Sequence, residues 1–313
     1  MKKIMLMLTI LAAVMMTGCK KEIEFRGDEG ASYVVVMAQL EPDSAVVVNL
    51  SHSRFFLQQG NPEYINDADM RLWVNGSLYT PVSVADGDYC FSVAPAAGDS
   101  VWFEADVPGF GLLSGATRVV TRPQADNVIV SATTGYEFWR MMDLQYIQLD
   151  LSDPLDERDY YRFEIIERDQ CVAHDTVEAV DTTFFSYFLY LGLKEVGDTT
   201  RQDIFNAQMA SALILSDQEF SGETRSIGFM STPIVDTTGL TTHDYWVRVT
   251  AYSPEMFKFR RSASMASSSF SMFAEPMQVY TNIKGGGIGV FGSKSSRVIP
   301  CTRVTLPAKS RRR

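Results

Sequence analysis

The sequence predicts an all-β protein built from two β-sandwich-like domains, the first immunoglobulin- or transthyretin-like and the second fibronectin type III-like with insertions. Three observations predict it. Short runs that alternate apolar and polar residues recur at a spacing of roughly 8–12 residues, the rhythm of antiparallel strands joined by tight turns. The breaks between runs carry turn chemistry, as at Glu41-Pro42-Asp43-Ser44, Asn75-Gly76, and Pro95 with Gly98. The length of 313 residues, 46% hydrophobic and 21% charged, suits two packed cores and excludes a disordered chain.

The chain opens with a leader. Lys2 and Lys3 form a positive start, residues 4–16 are apolar apart from Thr9, and Met16-Thr17-Gly18-Cys19 closes the run. The apolar stretch is shorter than the about 20 residues a membrane-spanning helix needs. A small residue directly before cysteine is the pattern of a bacterial lipobox. Residues 1–18 are therefore expected to be a lipoprotein signal peptide, with the mature chain beginning at Cys19 and acylated there, palmitate included. Acyl chains contribute about 0.8 kcal/mol per buried CH₂, so several chains give a stable membrane anchor. Residues 19–24 form a charged tether. No aspartate follows Cys19, which favours the outer membrane, and leaves open which of its faces carries the protein.

The first domain is expected over residues 25–122. Residues 33–40 and 45–50 read as a strand pair around the Glu41–Ser44 turn, and residues 54–69 as a polar loop. Asn75-Gly76 between residues 70–74 and 77–81 signals a type I′ hairpin, because both turn residues tolerate positive φ. Residues 88–93, 100–107 and 112–120 supply further strands before the linker Thr121-Arg122-Pro123. The second domain is expected over residues 125–304. Its strands are read at 128–132, 144–151, 159–165, 223–229 and 245–252, and short helices at 200–212 and 254–271, with Pro254 suited to a first helical turn. Gly285, Gly286, Gly287, Gly289 and Gly292 mark a bend that opens a final strand at 288–291. A phosphate-cradling loop is the weaker reading, since no Gly-Lys-Ser/Thr follows. Residues 305–313 form a basic tail.

Charge and chemistry narrow the function. The formal charge is −10, and removal of Lys2 and Lys3 leaves the mature chain two units more negative, so nucleic acid is not an expected partner. No cofactor and no metal is expected: Cys90, Cys171 and Cys301 are far apart with no C-x-x-C pair, and whether any two join in a disulfide is left open. His52, His174 and His243 stand in no nucleophile or zinc motif and read as surface or loop residues. The acidic stretches 66–69 and 153–159 lack calcium-loop spacing and read as solvated turns. No catalytic residue is therefore assigned, and the chain is not expected to be an enzyme. The aromatic run Phe184, Phe185, Tyr187, Phe188 and Tyr190 occupies both faces of any strand. It is either a ligand or partner contact or a strand buried between the domains, and the sequence leaves both open.

The lipobox, Asp153-Pro154 before Tyr160-Tyr161-Arg162, the stretch 217–222, and the ending from Glu275-Pro276 to Gly292 together resemble a lipoprotein family of Bacteroidota, domain-of-unknown-function family 4249. Tyr280, Asn282, Ile283, Gly287, Gly289, Phe291 and Gly292 carry the most specific part of the likeness. The resemblance implies an outer-membrane lipoprotein of two β-rich domains, non-catalytic, serving as accessory to a TonB-dependent receptor in ligand capture or uptake. A surface adhesion or structural module without a receptor is the alternative.

Overall fold

The computed structural model describes residues 32–54, 60–137, 140–155, 158–173, 176–181, 213–217, 220–231, 241–268 and 278–304. Cys19, the aromatic run at 184–190, His174, the helix expected at 200–212 and the basic tail lie outside the described residues. The described chain is all-β, with a single helix, and its sheets pack in sandwich-like pairs.

The first sandwich follows the local alternation closely. Strand β1 (Val34–Leu40) buries every second residue, Val34, Val36, Ala38 and Leu40, and β2 (Val47–His52) pairs antiparallel to it. Strands β3 (Asp69–Val74) and β4 (Ser77–Tyr79) flank Asn75-Gly76, whose φ angles of 49° and 84° make the expected type I′ turn. A second such hairpin joins β5 (Ser83–Ala85) to β6 (Asp88–Cys90) through Asp86-Gly87, at φ of 51° and 77°. That Asp-Gly pair adds a strand, β5, that the periodicity did not show, and β6 ends at Cys90, short of the 88–93 expected. Strands β7 (Ser100–Val107) and β8 (Gly111–Arg118) complete a four-stranded sheet of order β4-β3-β7-β8. Its inner residues Leu72, Phe103, Ala105 and Leu113 meet Val36, Val48 and Leu50 of the facing sheet in one core.

The second sandwich sets β9 (Gln124–Glu137), β10 (Arg140–Ser152), β14 (Thr224–Ser231) and β17 (Thr302–Val304), in the order β14-β10-β9-β17, against β11 (Tyr160–Ala173), β12 (Thr176–Asp181), β13 (Leu213–Ser216) and β15 (Thr241–Tyr252). Ile147, Leu149, Leu151, Phe163, Ile227, Val247 and Val249 fill its core. Helix α1 (Pro254–Ser268) follows β15 directly. Ser253 caps it: its carbonyl accepts the Phe257 N–H at 2.9 Å and its Oγ accepts the Met256 N–H at 3.4 Å, while Pro254 takes the first position and Glu255 meets the positive end of the helix dipole.

The two sandwiches are joined by β16 (Ile288–Pro300), which is far longer than the stretch 288–291 expected from sequence and serves both. Its first half runs parallel to β1, from Val35↔Ile288 to Leu40↔Ser293. Its second half runs antiparallel to β15, from Tyr252↔Lys294 to Trp246↔Pro300. One nine-stranded sheet, β12-β11-β15-β16-β1-β2-β6-β5 with β13 on β11, thus crosses the whole body. Phe291 on this strand lies in the first core beside Phe103, at 4.9 Å between ring centres, and Ile299 packs on the second.

Candidate functional site

The glycine-rich ending is where the strand shared by the sandwiches is set in place. Asn282 clamps it: Nδ2 donates to the Phe291 carbonyl at 2.8 Å and to the Ala116 carbonyl at 3.2 Å, and Oδ1 accepts the Phe291 N–H at 3.0 Å. One side chain therefore satisfies both backbone groups of a buried strand residue and ties them to β8. Gly289 lies in the parallel ladder at φ of 108°, and a Cβ there would stand 2.1 Å from the Val36 carbonyl oxygen. Gly285, at φ of 91°, approaches the Leu112 carbonyl just as closely, at 2.0 Å. These are positions where only hydrogen fits. The bend expected from the glycines is present, and its purpose is close strand docking.

At the junction itself, Ser253 and Ser293 are fully buried and interlocked. The Ser293 N–H donates to Ser253 Oγ at 3.1 Å, Ser293 Oγ donates to the Arg118 carbonyl at 2.6 Å, and Ser293 Oγ accepts the Val120 N–H at 3.1 Å. Thr117 Oγ1 reaches Ser253 Oγ at 3.3 Å and Glu255 Oε2 at 3.2 Å. A cavity of about 190 Å³ opens beside this network, lined by Arg118, Val120, Arg158, Asp159, Ser253 and Glu255 among others. Two guanidinium and two carboxylate groups at its wall give it a balanced charge.

A second knot gathers the middle motifs. Asp153, Asp159 and Asp217, 64 residues apart at the extremes, are all buried in the second sandwich. Tyr161 donates its hydroxyl to Asp153 Oδ1 at 2.5 Å, and the Gly222 N–H donates to Asp153 Oδ2 at 3.2 Å. The Asp159 N–H donates to Asp217 Oδ2 at 2.7 Å, while the Asp217 N–H returns to the Asp159 carbonyl at 3.3 Å. The turn from Asp217 to Glu223 is thereby fastened to the start of β11, with Phe220 tilted against Tyr161 at 6.2 Å. Burial pushes the Asp217 carboxyl up, against the opposing hydrogen bond from the Asp159 N–H and the charge of Arg158. Burial, the hydrogen bond to Asp153 and the surrounding carboxylates push the Tyr161 phenol far above the tyrosine range. The solvated turn expected at 153–159 is therefore corrected: both of its end aspartates are buried, Asp153 because its carboxylate takes up the Tyr161 hydroxyl and the Gly222 N–H, and Asp159 because its main chain is fastened to Asp217.

Other expected features are placed as follows. His52 rests half-buried against Phe110, at 5.3 Å between ring centres. Cys90 and Cys301 are free thiols, both half-buried, and burial pushes Cys301 up to about 12, so it is no ready nucleophile. Among the described residues no group of three His, Cys, Asp or Glu could hold a metal ion. The candidate contact residues Phe184, Phe185, Tyr187, Phe188 and Tyr190 fall outside the described chain. Within it, the aromatic feature that sequence reasoning missed is Trp73 stacked on Trp102 at 3.7 Å, half-buried on the outer face of the β3–β7 pair with exposed Leu78 alongside. The signal was there: Leu72 and Val74 point inward, so Trp73 between them points out.

Fold and buried knots define a two-sandwich, all-β protein whose distinctive sequence motifs are joints of the architecture. The chain belongs to the family described as a domain of unknown function (DUF4249), which matches residues 20–298. No curated protein matches it. Among solved structures, a "Biofilm associated protein - B domain" aligns over 89% of this chain and 88% of its own, at 8% identity and a TM-score of 0.19, an overlap too loose to carry fold or function across.

Proposed function

We propose that the protein is an outer-membrane lipoprotein, anchored through acyl chains on Cys19, that acts without catalysis as the accessory of a TonB-dependent receptor in ligand capture or uptake. The observation that carries this reading is how the described body uses its buried and half-buried polar side chains. Asn282, Ser253, Ser293, Asp153 and Asp217 each bond backbone groups of other segments and fix one sandwich to the next or a turn to its strand. Groups bound in this way stiffen a body that presents surfaces. The receptor is supplied by the family resemblance, and the anchor by Met16-Thr17-Gly18-Cys19 after an apolar run.

Purification of the native protein from detergent-solubilised outer membranes, followed by mass spectrometry of what accompanies it, tests the reading. A TonB-dependent receptor at near-equal stoichiometry is the expected result. A clean preparation without one overturns the accessory role and leaves an adhesion or structural module in its place.

A further inference from the structure

We propose that the end of the first sandwich around Tyr33, Phe110 and Leu112 is a membrane-seating surface that rests in the interfacial layer of the bilayer holding the lipid on Cys19. The inference rests on the lipoprotein reading above and adds an orientation to it. Strand pairing brings these residues to one end. Val34, at the start of β1, pairs with His52 at the end of β2, and Phe110 in the β7–β8 turn covers His52 at 5.3 Å. Leu112 opens β8 next to that turn, and Tyr64 is bridged to Ser51 one residue from His52. Tyr33 is 49% exposed, Phe110 38%, Leu112 57% and Tyr64 40%, a concentration of large apolar and aromatic side chains in contact with solvent.

What covers this end follows from where the chain leaves it. The described chain begins at Ser32, beside Tyr33, and the stretch from Cys19 to Ser32 can reach about 45 Å at full extension and no more. The second sandwich joins the opposite end, where Lys294 pairs with Glu41 at 3.2 Å and β16 carries on into β15. From Ile288 to Pro300 that strand covers about 40 Å at the rise of a β-strand. The tether thus joins the body at the aromatic end, and the second sandwich continues from the opposite end. Tyrosine, phenylalanine and leucine are the residues that settle at the headgroup level. Charges at this end are mixed: Asp106 pairs across strands with Leu112 and Asp69, Asp69 meets Arg71 at 2.7 Å, and Lys284 bridges to Ser114 on β8, so seating depends on partition of the rings and needs no anionic lipid.

The test uses the full acylated protein in phosphatidylcholine vesicles, with the photocrosslinker benzoylphenylalanine replacing Phe110, or Leu112 in a second variant. Val82, 65% exposed and at the other end of the sandwich, takes it in the control. The N-terminal peptide is weighed in the same digest. Lipid adducts at 110 or 112 in about tenfold excess over those at 82 are expected, the shift that burial of one apolar side chain supplies. With Cys19 acylated, equal yields at all three positions, or adducts to protein in place of lipid, overturn the seating surface and leave the lipoprotein reading intact. A Cys19 without acyl chains overturns both.

Discussion

Two glycines of the C-terminal motif offer a controlled perturbation. Gly286 and Gly289 have similar backbone angles, φ of 92° and 108°, yet differ in what a side chain would meet. A Cβ at Gly286 has nothing within 4 Å. One at Gly289 would lie 2.1 Å from the Val36 carbonyl oxygen and 3.0 Å from the Val36 carbonyl carbon and nitrogen. Gly286→Ala therefore costs only the strain of positive φ, about 1–2 kcal/mol. Gly289→Ala bears the same strain and must also push β16 off β1 by about 1 Å. That breaks ladder bonds around Val36↔Gly289, each contributing about 1 kcal/mol, at a buried position. The expected total is about 3–5 kcal/mol. Urea unfolding followed by tryptophan fluorescence reads the difference as a lower midpoint at unchanged slope. Equal urea midpoints for the two alanine variants refute the close docking of β16 on β1 at Gly289.

Asn282→Ala is expected to destabilise by about 2–4 kcal/mol, because it leaves the N–H and the carbonyl of buried Phe291 without their side-chain partner; calorimetry checks this, and a loss under 1 kcal/mol refutes the clamp. Tyr161 gives a pH signature. Its folded pKa is raised above the unfolded value of about 10, so its contribution is fully present below pH 10 and is lost as pH rises further, at about 1.4 kcal/mol per unit for one group. Tyr161→Phe should lower stability at neutral pH, by leaving Asp153 with one donor fewer, and flatten the alkaline decline; identical alkaline slopes in wild type and variant count against the knot.

Much of the first sandwich was legible because its signals are local. Val34, Val36, Ala38 and Leu40 alternate with outward residues, and Asn75-Gly76 names its own turn. Asp86-Gly87 carried the same turn chemistry and would have found β5 and β6. The second half of β16 was not legible. Lys294, Ser295, Ser296 and Arg297 have no apolar alternation, and they extend as a strand because β15 offers an edge with which to pair. Nor could spacing reveal that Asp153 and Asp217 share a knot, since each alone reads as a turn former.

By itself, the sequence determined the strand-rich class, the tight turn at Asn75-Gly76, the helix that starts at Pro254, and the glycine-shaped bend before the last long strand, since all depend on backbone preferences within a few residues. Tertiary structure alone decided that one late strand closes the first sandwich and opens the second, that Asn282 locks it there, and which end carries the exposed aromatics. Those outcomes depend on pairing between segments as distant as Val36 and Gly289, and the energy that selects such a pairing comes from groups that meet only once the chain has folded.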